Sequence, residues 1–348
     1  MDFIGEIISW YTKNKRDLPW RDTKDPYIIW LSEIILQQTR VEQGLPYFLR
    51  FSEAFPTVAD FAAADEGEIL RMWQGLGYYS RGRNMHKTAQ MVMEDHNGYF
   101  PRQYDELIKL KGVGEYTAAA ISSFAAEEPR AVVDGNVFRL LARYFGIDTP
   151  INTSKGKKEF TLLANSLINP ALPGLSNQAM MEFGSQVCRP KNPACSVCSL
   201  ALNCEALKLK SIDKLPVKLK TQRIRERYFH YLVMVKDDKI LVRKRGADDI
   251  WRHLHDFPLI EADRLLSASE LAADSAFLEI CKNQAEIKPL NSPVKHVLSH
   301  QRLFAQFFII ENHDESPQPA DCFYIGFDEL EQLAKPKLIF AFLKKFLP

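Results

Sequence analysis

Residues 1 to about 207 carry apolar positions at helical spacing, and residues after about 228 alternate in the manner of strands. Asp25-Pro26 opens one helix, with Asp as N-cap and Pro at the first helical position, and the pattern predicts that it carries Tyr27 through Val41. Thr57, with Asp60 three residues on, is a capping-box arrangement that predicts another. Further helical patterns follow Pro101 (Tyr104 to Ile108), Gly114 (Tyr116 to Phe124) and Asn136 (Val137 to Tyr144), separated by Gly and Pro. Beyond them, Tyr228 to Val235, an Asp237-Asp238 turn and Ile240 to Val242 predict a β-hairpin. Leu303 to Ile310 reads as a strand, and Leu330 to Leu347 as a helix. An all-α domain over 1–207 and an α+β domain over 228–348 are therefore expected. The intervening 208–227 holds eight Lys and Arg against Asp213 and Glu226, a net of 8 − 2 = +6. It reads as a connector, either a solvated linker or a contact for a phosphate backbone.

Length agrees with two domains, since 348 residues exceed the ~150 of one ordinary domain. A hydrophobic fraction of 46% with 26% charged residues implies a sizeable core and excludes a disordered or fibrous chain. No apolar run reaches the ~18 residues of a membrane span. The opening Met1-Asp2-Phe3-Ile4-Gly5-Glu6 is acidic where a secretory signal is basic. A monomeric cytoplasmic protein is expected. Forty-five basic residues balance forty-four acidic ones, so any polyanion site must come from local patches and backbone geometry.

Three features carry chemistry. Cys188, Cys195, Cys198 and Cys204 have the spacing C-x6-C-x2-C-x5-C, stiffened by Pro190 and Pro193. Four thiolates there suit either tetrahedral Zn²⁺ or a [4Fe–4S] cluster, and the single C-x2-C unit fits the cluster better than a zinc ribbon. Cys281 and Cys322 stand apart as buried thiols. In Leu110-Lys111-Gly112-Val113-Gly114 two glycines bracket one apolar residue between helical patterns, exposing backbone amides where a phosphate can sit; a plain helix–helix turn is the alternative. The third feature is a pair of carboxylates. Asp134, before the helix at Asn136, reads as an N-cap whose amide bonds would lower its pKa. Glu33 has Ile29, Trp30 and Leu36 as helical neighbours, so it either rims that stripe in solvent or is desolvated with a raised pKa. One protonatable and one charged carboxyl is the arrangement used to cleave glycosidic bonds.

Together with Asp17-Leu18-Pro19-Trp20-Arg21, Trp30 through Thr39, Gly75-Leu76-Gly77-Tyr78-Tyr79-Ser80-Arg81 and Val133 through Val137, these residues resemble the helix–hairpin–helix DNA glycosylases with an iron–sulfur cluster. Among those, the resemblance is to the MutY-type adenine DNA glycosylases, over 15–204 and again over 228–348. It implies an all-α helix–hairpin–helix glycosylase domain with a [4Fe–4S] loop at 188–204, then an α+β MutT/Nudix-like domain that reads 8-oxoguanine. The implied substrate is double-stranded DNA with A:8-oxoguanine or A:G mispairs, in the cytoplasm and nucleoid of a bacterium. The related endonuclease III carries a Schiff-base lysine just after its hairpin. Here that place holds Tyr116, which implies a monofunctional enzyme.

By the same resemblance Glu33 protonates the adenine, Asp134 stabilises the sugar cation, and Asn136 and Tyr116 position these groups and the water. Arg16, Trp20, Arg21 and Gln178 match the adenine pocket. Gln38, Thr39, Leu76 and Tyr78 match residues that wedge the duplex and hold the opposite base. Lys111, Gly112, Val113 and Gly114 would meet the DNA backbone. Ser299 and His300 keep the polar pair that reads 8-oxoguanine, although Leu298 replaces the usual Phe. The histidines of Trp251 through Pro258 are unusual for the family and read as structural or surface residues. The C-terminal domain lacks an Arg-Glu…Glu-Glu box, so pyrophosphatase activity is not expected.

Overall fold

A computed structural model describes residues 2–219, 224–247, 250–281, 285–311 and 321–346. The chain packs as two compact units, one of residues 1–64 with 83–220 and one of 65–82 with 221–348. The inclusion of 65–82 in the second unit departs from the division expected at 207/228.

The first unit is helical. The Pro26–Leu36 helix begins where expected, with the Asp25 carboxylate accepting from the Tyr27 amide at 2.9 Å. It packs against the Val41–Ala54 and Glu115–Ala126 helices, which is why nine of its eleven residues are buried. It also ends five residues sooner than its pattern suggests. Gln38 takes a left-handed φ of +55°, and the chain reverses so that Val41–Ala54 can bury Phe48 and Phe51. Tertiary packing outweighs the continuous apolar spacing here. The Thr57–Asp60 capping box forms as expected. A second part of the core gathers Ile7, Leu140, Leu141, Phe160 and Phe183 from the Phe3–Asn14, Gly135–Phe145, Ser154–Leu167 and Pro173–Gln186 helices.

The basic stretch is not a free tether over residues 208–219. The buried Arg143 guanidinium donates to the carbonyls of Ile212 and Leu215 at 3.1 Å each. Asn152 forms a two-way pair with the Leu219 backbone, and the Ile151 amide donates to Val217. Lys220 and Arg223 lie outside the described residues, and Arg225 and Arg227 begin the first strand.

The second unit holds two sheets, the larger mixed and the smaller antiparallel. In the larger, Arg225–Val233 lies between Leu259–Ala262 and Gln301–Glu311, parallel to the latter with Tyr228 opposite Phe304. Glu286–Pro289 and Val294–Val297 pair with Gln301–Glu311 on its other edge. The smaller sheet is built on Lys239–Lys244. The expected hairpin is therefore only partly present. Asp237 and Asp238, at φ +48° and +57°, turn the short Val235–Lys236 strand back onto Lys239–Lys244. The residues before them belong to the other sheet, because Phe229, Tyr231 and Val233 join the Phe307 core. The single helix expected over 330–347 is two, Phe327–Gln332 and Lys337–Phe346, interrupted at Pro336; Leu347 lies outside the described residues. Cys281 is buried and Cys322 half-buried.

Candidate active site

Glu33 resolves to the buried alternative, with 9% of its surface exposed. Among the described residues the Tyr116 hydroxyl donates to it, 3.0 Å from Oε2. Burial raises its carboxyl to about 7; the Tyr116 bond and the Arg21 charge pull down, while Asp134 adds to the rise. The Tyr116 phenol is itself driven well above its ordinary range by burial and by the two carboxylates, so it stays a donor.

Asp134 caps the Gly135–Phe145 helix, accepting from the amides of Asn136 at 2.9 Å and Val137 at 2.8 Å and from Asn136 Nδ2 at 2.6 Å. The direction of its shift corrects the sequence expectation. Burial raises the carboxyl above its usual value, and the cap bonds oppose that rise without reversing it. An N-cap lowers a pKa where water still reaches the carboxylate; here the cap sits in a cavity wall. Asn136 is in turn held by Arg139, whose Nη2 donates to its Oδ1 at 2.9 Å and to the Gly184 carbonyl at 2.7 Å. A Cβ on Gly184 would stand 2.8 Å from the Asn136 carbonyl oxygen. Only glycine permits that approach of the two helices.

Glu33, Tyr116 and Asp134 line one cavity of about 840 Å³, together with Gln37, Gln38, Gly112, Gly114 and Lys157. The hairpin thus borders the carboxylates. Gly112 has φ +76°, and a Cβ there would lie 2.7 Å from Asn84 Cβ. Val113 is buried, the Lys111 carbonyl accepts from Thr88, and Gly114 is the N-cap of Glu115–Ala126. The first amides of that helix lack intrahelical partners by geometry.

Arg16, Arg21 and Gln178 gather elsewhere, around a residue the sequence reading missed. Glu182, 1% exposed, accepts from Arg16 Nε and Nη2 at 2.8 Å each and from Arg21 Nη2 at 2.6 Å. Burial pushes its carboxyl up, but the two guanidiniums prevail and hold it at about 2. Gln178 accepts from the Tyr11 hydroxyl at 2.8 Å, and Arg21 lies over the Tyr11 ring. Trp20 is buried edge-on against Phe48. The signal for Glu182 was a carboxylate one turn beyond Gln178 on the same helix, but nothing local distinguishes it from a solvated Glu.

Thr39 closes the turn after Leu36, its amide donating to the Leu36 carbonyl at 3.1 Å. Leu76 and Tyr78 fall in the second unit, Leu76 buried and Tyr78 48% exposed, so Tyr78 is the side chain displayed. Ser299 and His300, both exposed, turn the chain between Val294–Val297 and Gln301–Glu311 and are hydrogen-bonded to each other at 3.0 Å. His253 pairs with Glu66, and His255 faces the Ala334 carbonyl, which makes both structural.

Cys188, Cys195, Cys198 and Cys204 line one further cavity. Arg143 Nη1 lies 3.6 Å from Cys188 Sγ, a cation suited to a thiolate. Among the described residues, no group of three or more His, Cys, Asp or Glu side chains is drawn together as a single metal ion would require. The four thiols line that cavity together, the donor set that a thiolate-bound metal centre would need.

Residues 31–166 match the HhH-GPD superfamily of base excision DNA repair proteins, and residues 230–345 match the NUDIX domain family. The adenine DNA glycosylase of Buchnera aphidicola subsp. Baizongia pistaciae is 34% identical over 308 residues, covering 87% of this chain and 84% of that protein. The chain belongs to the adenine DNA glycosylase family. It is an N-glycosyl hydrolase of base excision repair. The Homo sapiens adenine DNA glycosylase is 42% identical over 213 residues, which cover 59% of this chain and 39% of the human protein. A thermostable thymine-DNA glycosylase superposes with a TM-score of 0.56 at 29% identity, covering 60% of this chain and 95% of its own. That neighbour is named for a different base, so the helical scaffold alone does not select adenine. Among the described residues no helix is long and apolar enough to cross a membrane.

Proposed function

We propose that this glycosylase releases adenine lying opposite 8-oxoguanine or guanine in duplex DNA and leaves the strand uncut. The observation that carries the reading is Glu33, a carboxyl lifted to about 7 in the same cavity as the capped Asp134. An extruded adenine enters that cavity. Glu33 gives its proton to a ring nitrogen of the base, the C1′–N bond breaks, and its electron pair leaves with the adenine. The Asp134 carboxylate, oriented by Asn136, stabilises the cationic sugar until water adds to C1′ and gives up its proton to the Glu33 carboxylate, restoring the acid. Tyr116 keeps Glu33 in place and offers no amine for a Schiff base. Gly112 through Gly114, with Lys111, receive a phosphate, while Gln38, Thr39 and Tyr78 hold the duplex. Arg16, Trp20, Arg21 and Gln178 do not line that cavity and would support the base pocket from beside it, Arg21 through its charge on Glu33, and Ser299 and His300 read the 8-oxo group.

The four cysteines would hold a [4Fe–4S] cluster, which on binding cross-links the 188–204 loop through four thiolates. The deciding experiment is a duplex with one A:8-oxoguanine pair, incubated with the protein and then treated with alkali. Cleavage at the adenine only after alkali, with no adduct trapped by borohydride, is expected. Strand cleavage without alkali, or a trapped adduct, would replace this reading with a glycosylase that also acts as a lyase.

A further inference from the structure

The displayed Tyr78 sits in a turn held at both ends by groups outside the catalytic cavity. Gly75, Gly77 and Tyr78 all take left-handed φ values, +101°, +74° and +49°, a conformation that is strained for a tyrosine and needs external support. Part of the support is local. Trp73 Nε1 donates to the Gly77 carbonyl at 3.0 Å, and the Arg81 guanidinium lies over both the Trp73 and Tyr78 rings.

The remainder comes from the Nudix-like part of the same unit. Tyr79, next to Tyr78 in the chain, is buried, and its hydroxyl donates to the Lys335 carbonyl at 2.8 Å. That acceptor is itself immobilised. The buried Lys335 ammonium caps the end of the Phe327–Gln332 helix, donating to the carbonyls of Leu330 at 2.5 Å and Leu333 at 2.7 Å. A second tether joins His253 to Glu66 at 3.0 Å, and a third joins Arg71 to Gln332. Sequence position assigns 65–82 to the helical domain; its packing partners belong to the other one.

We infer that Tyr79 is a positioning residue through which the Nudix-like part of the chain sets Tyr78 against the mispaired duplex. The inference rests on the proposed function, because it requires Tyr78 to meet DNA. The Nudix-like region then acts on mispair recognition by two routes, the Ser299–His300 turn and the Tyr79 anchor. The test is a double-mutant cycle in the full chain, with Tyr79→Phe and Tyr78→Ala alone and combined, read on duplexes containing A:8-oxoguanine or A:G.

Removing one buried hydrogen bond costs about 0.5–1.5 kcal/mol. Tyr79→Phe should therefore weaken binding of the A:8-oxoguanine duplex about three- to tenfold, but less than about twofold when Tyr78 is already Ala. The single-turnover rate at saturating protein should stay within about twofold, since the Glu33–Asp134 cavity is untouched. Equal losses in both backgrounds, or no loss in either, overturn the inference. Should Tyr79→Phe lower the fold's stability, Glu66→Ala removes the His253 tether outright and carries the same cycle with the same outcomes. Adenine release by the unaltered protein is scored separately, and its absence would fell the proposed function itself.

Discussion

Two glutamates lie buried in the helical unit and titrate in opposite directions. Glu33 meets a phenolic donor and is lifted to about 7; Glu182 has less exposed surface, 1% against 9%, yet two arginines hold it at about 2. Desolvation is the largest influence on each and acts in the same sense. What differs is the partner set. A neutral hydroxyl stabilises a carboxylate less than the desolvation penalty removes, whereas two charge-assisted guanidinium bonds exceed it. Burial makes a carboxyl's protonation state adjustable, and its neighbours decide which state is held. A carboxyl able to keep its proton and a structural anion can therefore share one neighbour, with Arg21 acting on both.

The largest expected effect removes the proton donor. Glu33→Gln should lower single-turnover adenine release by about 10²- to 10⁴-fold with duplex affinity kept; undiminished release would mean that the lifted carboxyl does no chemistry. Next, Glu182→Gln strands two cations, Arg21 largely buried and Arg16 a third exposed. A loss of about 3 kcal/mol in urea unfolding is expected, whereas Glu33→Gln leaves no charge behind and should hold or raise stability.

The pH windows separate the two residues as well. Glu33 binds its proton more tightly folded than unfolded, so its contribution to stability declines as pH rises from about 4.5 to about 7. Glu182 does the reverse, and its contribution disappears as pH falls from about 4.5 to about 2. Unfolding curves across pH should flatten in the upper window for Glu33→Gln and in the lower one for Glu182→Gln, each by roughly 3 kcal/mol. Identical curves for the two variants would erase the distinction. The smallest effect is Tyr116→Phe. Losing a donor to the carboxylate raises the Glu33 pKa further, so the decline of kcat/KM on the alkaline side should move to higher pH, by less than about one unit. A shift toward lower pH would assign Tyr116 a different role.

The sequence reading went furthest where function depends on local chemistry. The Asp25-Pro26 start, the Thr57–Asp60 box, the Gly112–Gly114 turn and the Asp134 cap are each specified by neighbours within four residues, and all are present. The carboxylate pair proposed to do the chemistry was visible only in part, because the apolar helical stripe around Glu33 left both a buried and a solvent-facing side chain open. Errors arose where distant packing decided. The helix after Pro26 stops at Leu36 because the next helix folds back on it. The strand before Asp237 joins a sheet whose other members lie up to about 80 residues away. The basic stretch is fastened by Arg143 and Asn152.

Sequence alone thus determined which residues can cap, turn, ligate or donate a proton, since those capacities reside in side-chain type and short-range backbone geometry. Tertiary structure alone decided the charge each buried group carries and which unit a segment serves. Glu33 and Glu182 are the same residue until one meets a phenol and the other two guanidiniums. Asp134 is an ordinary cap until a cavity wall closes around it. Desolvation and pairing energies depend on atoms brought together from 83 to 166 positions apart, which no local pattern records.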